Sequence, residues 1–204
     1  MGAPQVIDVS ELQPKPWKNG AGVTREIAVE PADATLDDFE WRISVAEIAR
    51  DAPFSAFAGV DRCIVLLQGH GMRLRSNDGA IDARLDRPLE PFRFAGDVPV
   101  TATLIDGPCV DFNVMVRNIR WRADVTAANE TQRIDASAAA LALCVEGEAF
   151  VDSVTHPTMP LRSGQVAVWR SAAPSRTLRV GVVPTKVLLV QLHNLHALCQ
   201  DAGA

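Results

Sequence analysis

Lysine is scarce in this chain, occurring only at Lys15, Lys18 and Lys186, so most of the positive charge is arginine. No run of Lys or Arg exists, the formal net charge is −5 and the pI is about 5.4. A nucleic-acid surface needs a local basic cluster, so no nucleic-acid partner is expected. No apolar run reaches the ~18 residues that span a bilayer, and no membrane partner is expected either. Residues 1–5 carry no basic region and no apolar core, so a signal peptide is not expected and the expected compartment is the cytoplasm. Cys63, Cys109, Cys144 and Cys199 are far apart and form no C-x-x-C pair. The first three sit in or beside apolar runs and read as small buried hydrophobes, not as a disulfide framework.

Histidine is equally unhelpful for metal chemistry. There is no His-x-His; His70 stands alone in a glycine-rich turn and His156 alone before Pro157. His193, His196 and Cys199 have the i, i+3, i+6 spacing of one helix face, with no fourth ligand, and read as a plain C-terminal helix. No metal and no cofactor are expected. No G-x-S-x-G elbow is present, and neither Ser44 nor Ser55 has a histidine beside it in sequence, so no catalytic residue is assigned.

What the chain does have is an ordinary globular composition, with 48% hydrophobic and 22% charged residues over 204 positions. That length suits one large or two small domains. Short alternating runs dominate. Across residues 23–29, Val23, Arg25, Ile27 and Val29 share one face, and Thr24, Glu26 and Ala28 the other. Residues 39–47 are the clearest strand, with Phe39, Trp41, Ile43 and Val45 on one side and Glu40, Arg42, Ser44 and Ala46 on the other. Residues 62–67 read as a buried strand, with a tight turn at residues 68–71 and a return strand at 72–75, as in a hairpin. Asp111, Asn113, Met115 and Arg117 alternate with Val110, Phe112, Val114 and Val116. Residues 51–60 are loop carrying the aromatic plugs Phe54 and Phe57.

The chain repeats itself weakly. Residues 63–69 resemble 141–147, residues 94–100 resemble 162–168, and each half closes on an apolar strand, at 110–116 and 187–192. Because of this, residues 139–145 are read as strand despite their helix-favouring alanines. Short strands with Gly/Pro turns every ten residues or so give an all-β sandwich or jelly-roll barrel, and two copies give two stacked barrels. The expected halves are residues 1–122 and 123–204, the second ending in a short helix.

The stretch Trp17-Lys18-Asn19-Gly20-Ala21-Gly22 places a cation and an amide just before two glycines. It reads either as a loop that holds a small anion or as an Asn-Gly turn entering an edge strand. Pro16-Trp17-Lys18-Asn19-Gly20 with Thr24-Arg25-Glu26-Ile27 resembles the opening signature of the HutD/Ves family. Residues 41–46, Pro53-Phe54-Ser55, Gly59-Val60-Asp61-Arg62, Gly96-Asp97, Gly107-Pro108 and residues 111–117 match the same family in order, over roughly residues 8–192. Ala58 departs from its usual proline, and Ala21 from an expected glycine. The resemblance implies a bicupin fold, a cytoplasmic bacterial protein and a link to histidine utilisation. The ligand class it implies is a small intermediate of histidine breakdown, such as urocanate or formylglutamate.

A polar set remains on otherwise apolar strands: Arg42, Ser44, Arg62, Asp111, Asn113 and Arg117, joined by Lys18 and Asn19 from the opening loop. Burying unpaired charge is costly, so inward-pointing members of this set imply a wet or ligand-filled cavity. Arginines and amides suit a carboxylate held by paired hydrogen bonds. Three readings follow. The first is a binding protein that senses or buffers a small carboxylate, using all eight residues as ligand contacts. The second is a metal-independent isomerase or hydrolase with Asp111 or Glu47 as base. The third is an interaction module whose matched motifs serve folding and homodimer contacts.

Overall fold

The structure, a computed structural model, describes residues 4–153, 157–171 and 173–196. It is all-β, with every strand pairing antiparallel, and it divides into two compact units. One unit is Leu12–Arg120. The other runs from Trp121 onward and takes in the N-terminal segment up to Glu11. The division falls between Arg120 and Trp121, and the first strand joins the later unit. Gln5–Asp8 does so because it pairs with Gln165–Trp169. Of the expected C-terminal helix only residues 195 and 196 are described; the remainder, with Cys199, lies outside the described residues, as does His156.

The first unit holds a six-stranded sheet in the order Lys15–Pro16, Gly22–Glu30, Trp41–Ile48, Cys109–Arg117, Val60–Gln68, Pro91–Ala95. A four-stranded sheet runs Ala52–Pro53, Val100–Leu104, Met72–Ser76, Asp82–Leu85. Ile48, Ile64, Leu66 and Cys109 of the larger sheet pack on Met72, Leu74, Val100 and Ala102 of the smaller. The result is an open two-sheet sandwich, not a closed barrel. The second unit repeats the plan. Gln165–Trp169, Ala139–Glu146 and Lys186–Asn194 are adjacent in a five-stranded sheet, and Arg176–Val180, Glu148–Ser153 and Met159–Arg162 in a four-stranded one. Its core includes Ala142, Val151, Leu161, Trp169, Leu178 and Leu189 between those sheets.

Two of the three internal matches occupy equivalent places: Val60–Gln68 with Ala139–Glu146, and Cys109–Arg117 with Lys186–Asn194. The turn glycines that follow the first pair show the equivalence in atomic detail. Gly69 has φ +88° and a Cβ there would meet the Pro108 carbonyl at 2.5 Å; Gly147 has φ +81° and would meet the Pro184 carbonyl at 2.5 Å. Only glycine suits both the left-handed backbone and the close approach. The third match is displaced. The turn after Phe94 leads from the larger sheet to the smaller, whereas Gly164 leads from the smaller to the larger. Similar turn chemistry serves two different junctions.

Three local expectations change. Val60–Gln68 and Met72–Ser76 are not a hairpin, because the turn at residues 68–71 carries the chain from one sheet to the other. The alternation at residues 23–29 breaks at a bulge between Glu26 and Ala28, which puts Val29 opposite Arg42. An extra residue in one strand flips the face of everything beyond it. Phe39 precedes the strand that begins at Trp41 and packs with Val29, Val60 and Met115 instead of joining the Trp41 face. Among the described residues no helix is long and apolar enough to cross a membrane.

Candidate functional site

The larger sheet of the first unit has an inner face that is only half covered. Towards Ile48, Ile64 and Leu66 it is packed against the smaller sheet. Beyond them it opens into a cavity of ≈ 650 Å³. Strand register sets the floor. Asn113 lies opposite Ser44 on one side and Ile64 on the other; Asp111 lies opposite Ala46 and Leu66; Met115 lies opposite Arg42 and Arg62. Glu26 and Thr24 extend the rows, opposite Ser44 and Ala46. Because cross-strand partners share a face, these side chains converge on one space.

The opening loop forms the rim. It is a turn, with Gly20 N–H donating to the Trp17 carbonyl at 2.9 Å and Gly20 at φ +66°. The Asn19 side-chain oxygen accepts from Ala21 N–H at 3.0 Å, which fixes the turn. The same loop also brings Lys18 and Asn19 to the cavity wall. Trp17 anchors it: its indole N–H donates to Thr24 Oγ1 at 2.7 Å, and its ring meets Phe54 edge-on at 5.9 Å.

Arg62 is the central cation. It is buried, and its guanidinium lies over three rings, Phe94 at 5.1 Å, Phe54 at 5.2 Å and Phe57 at 5.9 Å. Its Nη1 donates a long 3.4 Å bond to the Ser55 carbonyl, and its Nε has no partner. Gly96 makes room for its stem, since a Cβ there would sit 3.2 Å from Arg62 Cγ. Burial lowers the Arg62 pKa to about 10, partly offset by the charge of Asp111. Asp111 is 2% exposed and no hydrogen bond reaches its carboxylate among the described residues. Burial pushes its pKa up to about 7, with Arg62 acting in the other direction. Asn113 Oδ1 is also buried without a partner.

Arg42 is paired. Its Nε donates to Glu26 Oε2 at 2.7 Å, and Lys15 approaches the other oxygen at 3.4 Å. Burial raises the Glu26 pKa, but the Arg42 hydrogen bond and the two positive charges outweigh it and the net shift is downward. The wall therefore holds four cations, Lys15, Lys18, Arg42 and Arg62, against two carboxylates. That excess favours an anion.

Seven of the eight expected contact residues line the cavity: Lys18, Asn19, Arg42, Ser44, Arg62, Asp111 and Asn113. Arg117 does not. Its guanidinium is spent on the backbone carbonyls of Phe39 and Ala58, both at 3.0 Å, and of Asp37, which clamps that loop. Glu47 is also off the cavity, half exposed and paired with Arg25. Trp17, Glu26, Phe54 and Phe57 are wall residues that sequence reasoning did not assign. The alternation of Thr24 and Glu26 opposite the Arg42–Ser44 face was the available signal. A metal of the kind cupin folds hold does not fit this wall, because no histidine lines it and Glu26 is taken up by Arg42 and Lys15. Among the described residues no group of three or more His, Cys, Asp or Glu side chains is placed to hold an ion.

The comparisons agree with this architecture. A family model described as HutD matches residues 9–189. An uncharacterised 21.2 kDa protein from the region 3′ of hutC in Pseudomonas putida is 38% identical over 142 residues, covering 68% of this chain and 72% of that one. Protein Ves of Cronobacter sakazakii is 41% identical over 128 residues, 62% of this chain and 68% of that one. The structure of HutD from Pseudomonas fluorescens SBW25, in a formate condition, superposes with a TM-score of 0.79 at 32% identity, over 94% of this chain and 99% of that one. A cupin 2 conserved barrel domain protein from Leptotrichia buccalis, at 11% identity and a TM-score of 0.59 over 94% of this chain and 97% of that one, shares the fold alone.

Proposed function

Since the chain belongs to the HutD family, we propose that its cavity binds a small carboxylate metabolite in a regulatory or buffering role within histidine utilisation. Urocanate and formylglutamate are the favoured candidates. A relative named for its place beside hutC supports the metabolic setting. The observation that carries the reading is Arg62: a buried guanidinium at the cavity wall, held by three phenylalanine rings and left with an unpartnered Nε. Desolvating such a charge with no anion in contact is unfavourable. A carboxylate entering the cavity supplies the missing charge and accepts from the planar fork, and Lys18, Ser44 and Asn113 stand on the same wall to orient it.

A second reading, general acid–base catalysis, is favoured by one feature only, the near-neutral titration of Asp111. No histidine lines the cavity to activate Ser44 or Ser55 as a nucleophile.

The test is a thermal-shift panel of histidine, urocanate, formylglutamate, glutamate and formate, with and without chelator, on wild type and Arg62→Met. A ligand at about a hundred times its Kd adds roughly 2.7 kcal/mol of stability. For a chain of this length that is a shift of roughly 5–10 °C. Arg62→Met keeps the packing on the rings and removes the charge, so the shift should vanish. A flat panel with wild type, or an undiminished shift with Arg62→Met, refutes the proposal. Product formed from any member at a rate that Asp111→Asn abolishes would transfer weight to the enzyme.

A further inference from the structure

Asp111 has no role in a simple anion cage, where a second negative charge would repel the ligand. Yet it sits on the floor, one same-face step from Asn113, at the row Thr24–Ala46–Asp111–Leu66. It is almost fully enclosed, and no donor from any neighbouring strand or loop satisfies its oxygens. The charged groups sharing the cavity are Lys15, Lys18, Glu26, Arg42 and Arg62. Lys15 lies on the edge strand and pairs with Glu26, Lys18 lies on the rim loop, and Glu26 is also committed to Arg42, leaving Arg62 as the charge that acts on Asp111. Cys109, two residues earlier on the strand, is a neutral thiol whose own ionisation is pushed up to about 11.

An ionised carboxylate here has nothing to accept from, whereas a protonated one is a donor facing a site built for acceptors. Resting on the reading of the cavity given above, we propose that Asp111 joins the complex as the neutral acid, its O–H donating to the bound carboxylate, so that each ligand carries one proton from solvent into the cavity. The proton comes from buffer, resides on Asp111 and is released when the ligand leaves. The midpoint near neutrality in the empty cavity agrees with this, because a second anion beside it raises that midpoint further. The effect is pH sensitivity: carboxylate capture weakens as the surroundings become alkaline.

The experiment is calorimetric titration with formylglutamate, whose carboxylates stay ionised throughout, at several pH values in two buffers of different ionisation enthalpy. Wild type should take up close to one proton per ligand at about pH 8, and its affinity should fall about tenfold for the next pH unit. Asp111→Asn, which keeps the shape and offers a permanent N–H donor, should bind with no buffer dependence and a flat pH profile. Binding by wild type without proton uptake, or parallel pH profiles for the two proteins, overturns the inference and leaves the anion-binding reading standing. Loss of binding in a folded Asp111→Asn also overturns it, since the charged form would then be the one required. No heat with wild type even at about pH 6 refutes the anion-binding reading itself and this inference with it.

Discussion

Replacing Asp111 by Asn should change how stability depends on pH, even with no ligand present. Asp111 titrates at about 7 when folded, against 3.8 for an exposed aspartate, and burial is the largest cause. Because the folded value is the higher one, the native state holds a proton that the unfolded chain has released between those two pH values. Stability from this group is therefore fully present below about pH 4, drains away as pH rises, and is gone above about pH 7. Each pH unit inside that window removes about 1.4 kcal/mol. Between about pH 5 and about pH 8, two units of the window are crossed, so wild type should lose roughly 3 kcal/mol more than Asp111→Asn. The exposed carboxylates held low by arginine, such as Asp82 and Asp152, both at about 2, titrate below this range and do not interfere. Urea unfolding of both proteins at the two pH values measures the difference directly, with the m-value confirming that the same surface is exposed. Profiles that stay parallel within about 0.5 kcal/mol would show that Asp111 is ionised at neutral pH, and the reasoning from burial would fail.

Other consequences are simpler. Gly69→Ala should destabilise by several kcal/mol, since it combines a left-handed φ with a 2.5 Å approach to the Pro108 carbonyl. Gly79→Ala, with φ +76° but nothing within 4 Å, should cost only about 1 kcal/mol. Equal losses in urea unfolding would refute the close-approach argument. Arg117→Ala should cost about 2–3 kcal/mol, because three carbonyl acceptors lose a charged donor. It should leave formylglutamate affinity within about twofold, measured by titration under conditions where the variant is folded; a tenfold loss would return Arg117 to the ligand site.

Much of the architecture was legible in one dimension. Alternation along residues 39–47 and 110–117 separated two faces of each strand, because strand side chains keep a period of two, but did not say which face points inward. Two of the internal matches mark equivalent strands of the two units, and the polar members of the inner face were separable from the apolar ones by type alone. The internal repeat reads residues 139–145 as strand against their composition, and the strand runs Ala139–Glu146.

Other features depend on distances that sequence does not carry. The bulge after Glu26 flips Val29, and only the register opposite Arg42 reveals it. The turn at residues 68–71 looks like a hairpin locally, yet its two strands find partners in different sheets, because long-range pairing outweighs the local turn. Arg62 and Arg117 look alike as strand-borne arginines. Folding puts one under three phenylalanine rings at a cavity and gives the other three carbonyls to clamp. Asp111 is the sharpest case: its residue type fixes an acid, while its protonation is set by the burial and the absence of donors that only the packed sheets create. Where most strands lie along the chain followed from the sequence itself, since periodicity and turn chemistry are local. Which charges ended up paired, clamped or stranded was decided by tertiary structure, since desolvation and Coulomb interaction depend on what lies across space.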